Sequence, residues 1–190
     1  MEPLCQRLGR GDRAAFAELY DAYADRVHHY LVVRLGSRED ADDVLQETFV
    51  RLARSGKRLA RVENLAGYVF TVARNEAARW ERRRRRRTDF QSVPPGTTDS
   101  KSVLQENLPS AGDLFCRPDG DLQAREAAET IAKAMAGLDA RSREAVELKV
   151  YAGLTFREIA EVTGLPQGTV ATRYRAAMAK MRTWLVREES

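Results

Sequence analysis

Thr155-Phe-Arg-Glu-Ile-Ala-Glu-Val-Thr-Gly-Leu-Pro-Gln-Gly-Thr-Val-Ala-Thr-Arg-Tyr174 is the stretch that decides the fold. Thr155 with Glu158 three residues on is a capping box, in which each side chain satisfies an orphan backbone amide of the first turn. Ile159, Ala160 and Val162 supply an apolar face. Gly164 stands where a helix stops on a left-handed residue. Leu165 can bury under the turn, and Pro166 suits the first position of a new helix. Val170, Tyr174, Ala177, Met178, Met181 and Leu185 then recur at three and four, the period of a second amphipathic helix. Small Ala160 lets the two helices cross closely. Two ordinary bundle helices would not need Ala160, Gly164 and Val170 together with that cap. The spacing predicts a helix-turn-helix, whose second helix enters the major groove of DNA. The motif alone does not separate a repressor, an activator and a polymerase subunit.

Working outward, Asp121 to Leu138 reads as a helix carrying Leu122, Ala127, Ile131, Ala134, Met135 and Leu138. Asp139 caps another that bears Ala145, Leu148 and Val150 or Tyr151, and Gly153 leads into the motif. Before them, 88–120 loses all period and holds Pro94, Pro95, Gly96, Pro109, Gly112, Pro118 and Gly120, the composition of a flexible linker.

The amino-terminal part is helical again. Asp12 to Leu35 carries the stripe Phe16, Leu19, Tyr23, Val27, Tyr30 and Leu31, and Gly36 ends it. Ser37 opens the next helix, with Ala41, Val44, Leu45, Thr48, Phe49 and Leu52 facing inward. Its front acids complement the helix dipole, but Gln46 and Glu47 extend the polar patch a further turn. Ser55 to Glu63 is basic and reads as a loop. Asn64 caps a third helix with Leu65, Tyr68, Val69, Val72, Ala73, Ala77 and Trp80 on one face, Trp80 reading as core. No strand-like alternation occurs. The expected fold is all-α, with two small helical domains, 1–87 and 121–190, joined by the 88–120 linker.

Charge is uneven along the chain. The 190 residues carry a formal +4, yet Arg74 to Thr88 alone holds eight arginines against two glutamates, a local +6. A basic block in a near-neutral chain points to a polyanion. Because Arg82 to Arg87 extend a packed helix, they suit a phosphate-tracking surface. Cys5 and Cys116 lack metal spacing and read as reduced bystanders. His28 and His29 are sequence neighbours and so do not share a helix face. Neither a metal nor a cofactor is expected. No apolar run nears about 18 residues and no signal peptide is visible, which predicts a cytoplasmic protein without membrane insertion.

Three blocks carry a family resemblance. Asp40-Ala-Asp-Asp-Val-Leu-Gln-Glu-Thr-Phe-Val-Arg-Leu52 and Leu65-Ala-Gly-Tyr-Val-Phe-Thr-Val-Ala-Arg-Asn75, followed by the arginine-rich helix end, resemble the second conserved region of bacterial sigma factors. Leu138-Asp-Ala-Arg-Ser-Arg-Glu-Ala-Val-Glu-Leu148, with Gly153-Leu-Thr-Phe-Arg-Glu-Ile-Ala160 and Gly168-Thr-Val170, resembles the fourth. The short spacer resembles the extracytoplasmic-function (ECF) type.

The resemblance implies a transcription initiation factor that is not itself an enzyme. It would bind core RNA polymerase, on the clamp helices of the largest subunit and the flap of the second, and start transcription of stress- or envelope-responsive genes. An anti-sigma factor is an implied partner. Asp43, Gln46, Glu47 and Val50 would meet the polymerase. The −10 element would be read by Lys57, Arg58, Asn64, Tyr68, Thr71, Arg74, Asn75 and Arg79, with Arg82, Arg83, Arg85 and Arg86 on phosphates. Asn75 and the loop before Asn64 would border a pocket for a flipped base, consistent with the need to hold unpaired bases while a basic surface takes the backbone. The −35 element would fall to Arg157, Gln167, Thr169, Ala171, Thr172, Arg173 and Arg175. Ala171 and Ala176 stand where the family usually places basic residues, and alanine offers a thymine methyl only apolar contact.

Other readings account for less. A free-standing helix-turn-helix regulator would need a dimerisation helix or ligand domain. A nucleoid or RNA-binding protein leaves the Asp43, Gln46, Glu47 face unexplained. A recombinase needs a catalytic Ser, Tyr or carboxylate constellation, and none is visible.

Overall fold

The computed structural model describes residues 3–91 and 122–188. The chain runs through α1 (Leu4–Gly9), α2 (Arg13–Leu35), α3 (Arg38–Ser55), a 3-10 turn (Gly56–Arg61), α4 (Leu65–Gln91), α5 (Leu122–Ala136), α6 (Ala140–Val146), a π-helical turn (Glu147–Tyr151), α7 (Phe156–Thr163) and α8 (Gln167–Glu188). The expected all-helical class and the helix-turn-helix are both present.

The caps fall where the sequence places them. Asp12 accepts from the amides of Ala14 and Ala15, Ser37 from Asp40 and Asp139 from Arg141 and Ser142. Thr155 and Glu158 form the full capping box, and Gly164 closes α7 at φ 70°, a left-handed geometry that costs glycine little. Residues 55–63 are less loop-like than expected, because Leu59 is fully buried and winds the stretch into a 3-10 turn under α1. The sequence gives no periodic signal for six-residue α1. Its Gly9 lies so close to Ala60 that a Cβ could not fit.

Two stripe assignments shift, since Ile131 and Met178 are exposed, and of the two residues left open at 150 and 151 Tyr151 packs inward while Val150 is exposed. The cause at 150 is the π-helical turn: the Ala152 amide donates to Glu147, one residue beyond an α-helical bond. This turns Glu147 and Leu148 inward together. The arginine helix also continues to Gln91, four residues into the stretch assigned to the linker.

The halves do not stand apart. Leu148, Ala152, Leu154, Ile159, Val162 and Val170 belong to the same buried cluster as Leu19, Val27, Tyr30, Leu31, Val69 and Phe70. Each aliphatic side chain fully buried there contributes roughly 1.5–3 kcal/mol. A smaller cluster of Ala134, Met135, Leu138, Val146, Ala177 and Met181 holds α5 and α6 to α8.

Candidate nucleic-acid and partner interfaces

On α3, burial of Ala41, Val44, Thr48, Phe49 and Leu52 leaves Asp43, Gln46, Glu47 and Val50 exposed on one side. Thr48 satisfies its buried hydroxyl by donating to the Val44 carbonyl, 2.7 Å away. The four exposed side chains form one wall of a groove, and Glu76, Trp80, Arg83, Arg84 and Arg87 of α4 line the other. Buried Glu76 is held by Arg79 at 2.9 Å and Arg51 at 3.2 Å. Arg84 lies over the half-buried Trp80 ring and 3.8 Å from Asp40. The groove thus has an acidic, amide-bearing wall facing a basic one, with Val50 as its apolar contact point.

The residues expected at the −10 element divide by environment. Lys57, Arg58 and Asn75 are exposed. Arg82, Arg83, Arg85 and Arg86 are exposed along the outer turns of α4. Tyr68 is half-buried and donates to the Ser55 hydroxyl at 3.2 Å, while the Thr71 hydroxyl bonds back to the Gly67 carbonyl. Arg79 is engaged with Glu76. Asn64 and Arg74 are engaged across the chain. Asn64 caps α4 by accepting from the Gly67 amide at 3.0 Å and donates its other end to Glu161 of α7. Arg74 forms a forked pair with Glu144 of α6, at 2.7 and 3.2 Å.

Around that fork lies an ionic cluster that the sequence reading missed. Arg34 reaches Glu81 and Glu144, each at 3.2 Å, and Glu147 at 3.5 Å. Arg26 donates two bonds to the Ala152 carbonyl, at 3.0 and 2.6 Å. Burial pushes the Glu147 carboxyl above its ordinary value, with Arg34 opposing. Hydrogen bonding to Glu144 holds the Arg74 guanidinium more firmly charged. Burial likewise raises the pKa of the Tyr30 phenol, fully enclosed with no hydrogen-bond partner for its hydroxyl. A signal was present in the sequence: Glu144 and Glu147 share a helix face with Leu148, and a buried acid requires a cation.

In the helix-turn-helix, Gln167, Thr172 and Arg175 are exposed, and Arg157 stands outermost, paired at 3.5 Å with Glu161. Thr169 is half-buried. Gly168, Thr169, Thr172 and Arg173 line a shallow, open concavity near the start of α8. Arg173 leans toward Asp139 at 3.8 Å. Ala171 points inward and is only 9% exposed, whereas Ala176 is exposed. The expectation that Ala171 faces DNA is therefore corrected: it packs behind the reading face, one position from buried Val170. His28 pairs with Asp42 at 3.1 Å, and no cluster of metal-ligating side chains occurs among the described residues. Nor is any helix there long and apolar enough to cross a membrane.

Comparison with known proteins gives two family matches in chain order: Sigma-70 region 2 over residues 19–87 and Sigma-70, region 4 over residues 128–181. The chain is 28% identical over 184 residues to the ECF RNA polymerase sigma factor BldN of Streptomyces coelicolor, covering 96% of this chain and 65% of that protein. It is 29% identical over 181 residues to the ECF RNA polymerase sigma factor RpoE of Cereibacter sphaeroides, covering 90% and 86%. The ECF RNA polymerase sigma-E factor of Escherichia coli K12 is 28% identical over 172 residues, covering 90% and 86%. Two solved structures share the fold at a TM-score of 0.66. They are CnrH with the cytosolic domain of CnrY (21% identity, 98% of this chain and 97% of that one) and the Bartonella quintana sigma factor RpoE with the anti-sigma factor NepR (20%, 90% and 96%).

Proposed function

This chain belongs to the sigma-70 family, as a sigma factor of the ECF type, and from that premise we propose how its surfaces divide the work. The groove wall of Asp43, Gln46, Glu47 and Val50 docks on the clamp helices of the polymerase's largest subunit. The exposed arginines of α4 take promoter phosphates, which positions the duplex without reading it. Asn75 and the basic turn at 56–61 border the site for an unpaired −10 base, with Asn64 and Arg74 on the same helix. The outer face of α8, with Gln167, Thr172, Arg175 and Arg157 beside it, enters the −35 major groove, and the C-terminal half rests on the flap. The chain acts in the cytoplasm by directing the polymerase's chemistry, without a cofactor of its own. Control of stress- or envelope-responsive genes is what the resemblance to the ECF type implies. The solved complexes of CnrH and RpoE support an anti-sigma factor as a further partner.

The observation that carries this reading is the α3 wall: two acids, an amide and a valine stand exposed beside the buried stripe of α3, facing a groove. Asp43→Ala with Gln46→Ala and Glu47→Ala tests it. Interface anchors cost about 2 kcal/mol or more each when truncated, whereas exposed positions change folding by about 0.5 kcal/mol or less. The triple variant should keep its thermal midpoint and lose core polymerase in a pull-down. Normal capture of the polymerase by the variant would refute the assignment.

A further inference from the structure

No residue of α1 is assigned to polymerase or DNA, yet α1 is tied on two sides. Its Arg7 guanidinium donates to Asp12 at 2.9 Å and to Glu18 at 2.8 and 3.1 Å, which fixes it to the start of α2. The Asp12 amide donates back to the Arg7 carbonyl at 3.2 Å. On its other side α1 rests on the 3-10 turn at 56–61. Leu8 and Leu59, 4% and 1% exposed, are buried in the same cluster. Beside them Gly9 lies against Ala60. A Cβ added at Gly9 would collide with the Ala60 Cβ and come within 3.1 Å of that residue's Cα and amide nitrogen. None of these atoms can swing aside as the end of a long side chain can.

The turn is also held at its ends. Ser55, at its entry, donates to the Arg51 carbonyl at 2.9 Å and accepts from Tyr68 of α4 at 3.2 Å. The Val62 amide closes its exit on the Leu59 carbonyl at 3.2 Å. Lys57, Arg58 and Arg61 stand exposed between these anchors. A single 3-10 turn has weaker hydrogen-bond geometry than an α-helix and little rigidity of its own. Groups that recognise a ligand must be held within about 0.5 Å of their productive geometry by the packing behind them. For this turn, the packing behind is α1.

We propose, resting on the sigma-factor reading in which this turn borders the −10 base site, that α1 is a strut that sets the turn. Gly9 against Ala60 is its bearing point, and Arg7 is its tie to α2. Gly9 and Arg7 are then positioning residues for −10 specificity. Neither touches DNA; both act through where the turn carries Lys57 and Arg58. An added Cβ at Gly9 pushes the turn off α1, and loss of Arg7 lets α1 and the turn shift together.

The test is transcription in vitro by core polymerase with the full chain, on a promoter that the wild-type holoenzyme uses, with each −10 and −35 position changed in turn to all four bases. Gly9→Ala and Arg7→Ala are compared with wild type. Exposed ion pairs contribute little to stability, so Arg7→Ala guards against a folding defect in Gly9→Ala. Each variant should lower the preference for the best base at one or more −10 positions by about fivefold or more, within what one good base contact supplies, and keep −35 preferences within about twofold of wild type. A merely structural role lowers output from all promoters alike and moves neither ratio. Wild-type −10 preferences in Arg7→Ala, or in folded Gly9→Ala, would refute the strut. So would −35 preferences that fall in step with the −10 ones. Absence of any promoter-directed transcription by the wild-type holoenzyme would overturn the sigma-factor reading itself, before any variant is compared.

Discussion

Ala171 shows how one side chain's direction changes an expectation. Sequence position puts it where a basic residue would meet DNA, but the turn at Gly164 rotates α8 so that Val170 and Ala171 face inward. Ala171→Arg should therefore destabilise the fold, by about 1–3 kcal/mol as overpacking does, without raising promoter affinity. Ala176→Arg, at an exposed position, should raise affinity, since an added cation there gains a phosphate or guanine contact. Thermal melts and promoter titrations of the two variants check the pair, and the reverse pattern would contradict the orientation of α8. Glu147 makes a pH-dependent prediction. Its carboxyl titrates above the ordinary glutamate value of 4.5 because it is buried. Its contribution to the folded state is thus present below 4.5 and lost as pH rises through the raised value. Glu147→Gln stays neutral, so its thermal midpoint should rise relative to wild type as pH increases from 4.5. A difference that narrows with pH would contradict the sign. Asp139 behaves oppositely: the Ser142 hydroxyl and amide hold its pKa down, so the α6 cap is lost on acidification.

Among the elements, α4 carries most of the proposed DNA contact. Arg82, Arg83, Arg85 and Arg86 are exposed on its outer turns, where no apolar packing depends on them. Replacing the four by alanine should leave the thermal midpoint near wild type, weaken promoter binding by the holoenzyme and flatten its salt dependence, because each phosphate contact releases counterions. An unchanged salt slope would reduce the run to a solvated helix end. The elements themselves were largely readable, because caps and breakers are local: Asp12, Ser37, Asp139, Thr155 with Glu158, Gly36 and Gly164 each act within a turn of their own position. The α3 patch was readable for the same reason, since an exposed face is what an apolar stripe leaves behind. Two features were not. The π-helical turn at 147–151 has no fixed sequence signature. Short α1 is held by buried Leu8, by Arg7 on Asp12 and Glu18, and by the close approach of Gly9 to Ala60, fifty-one residues away.

The molecule as a whole depends on a contact no periodicity reveals. Glu144, Glu147 and Glu161 find Arg34, Arg74 and Asn64 across at least seventy residues. Nothing in either half's own pattern specifies that match. One consequence is simple to measure. If a protease site placed between residues 92 and 121 is cut, the two fragments of the free protein should co-elute in gel filtration at low salt, held by the shared cluster around Phe70 and Leu154. Separate elution would contradict the packed arrangement. Transcription in vitro from a promoter library tests most directly whether this chain gives polymerase its promoter. Core polymerase with this chain should start at a defined subset of promoters sharing −10 and −35 sequences, where core alone does not. Initiation no greater than that of core alone across the library would contradict the account.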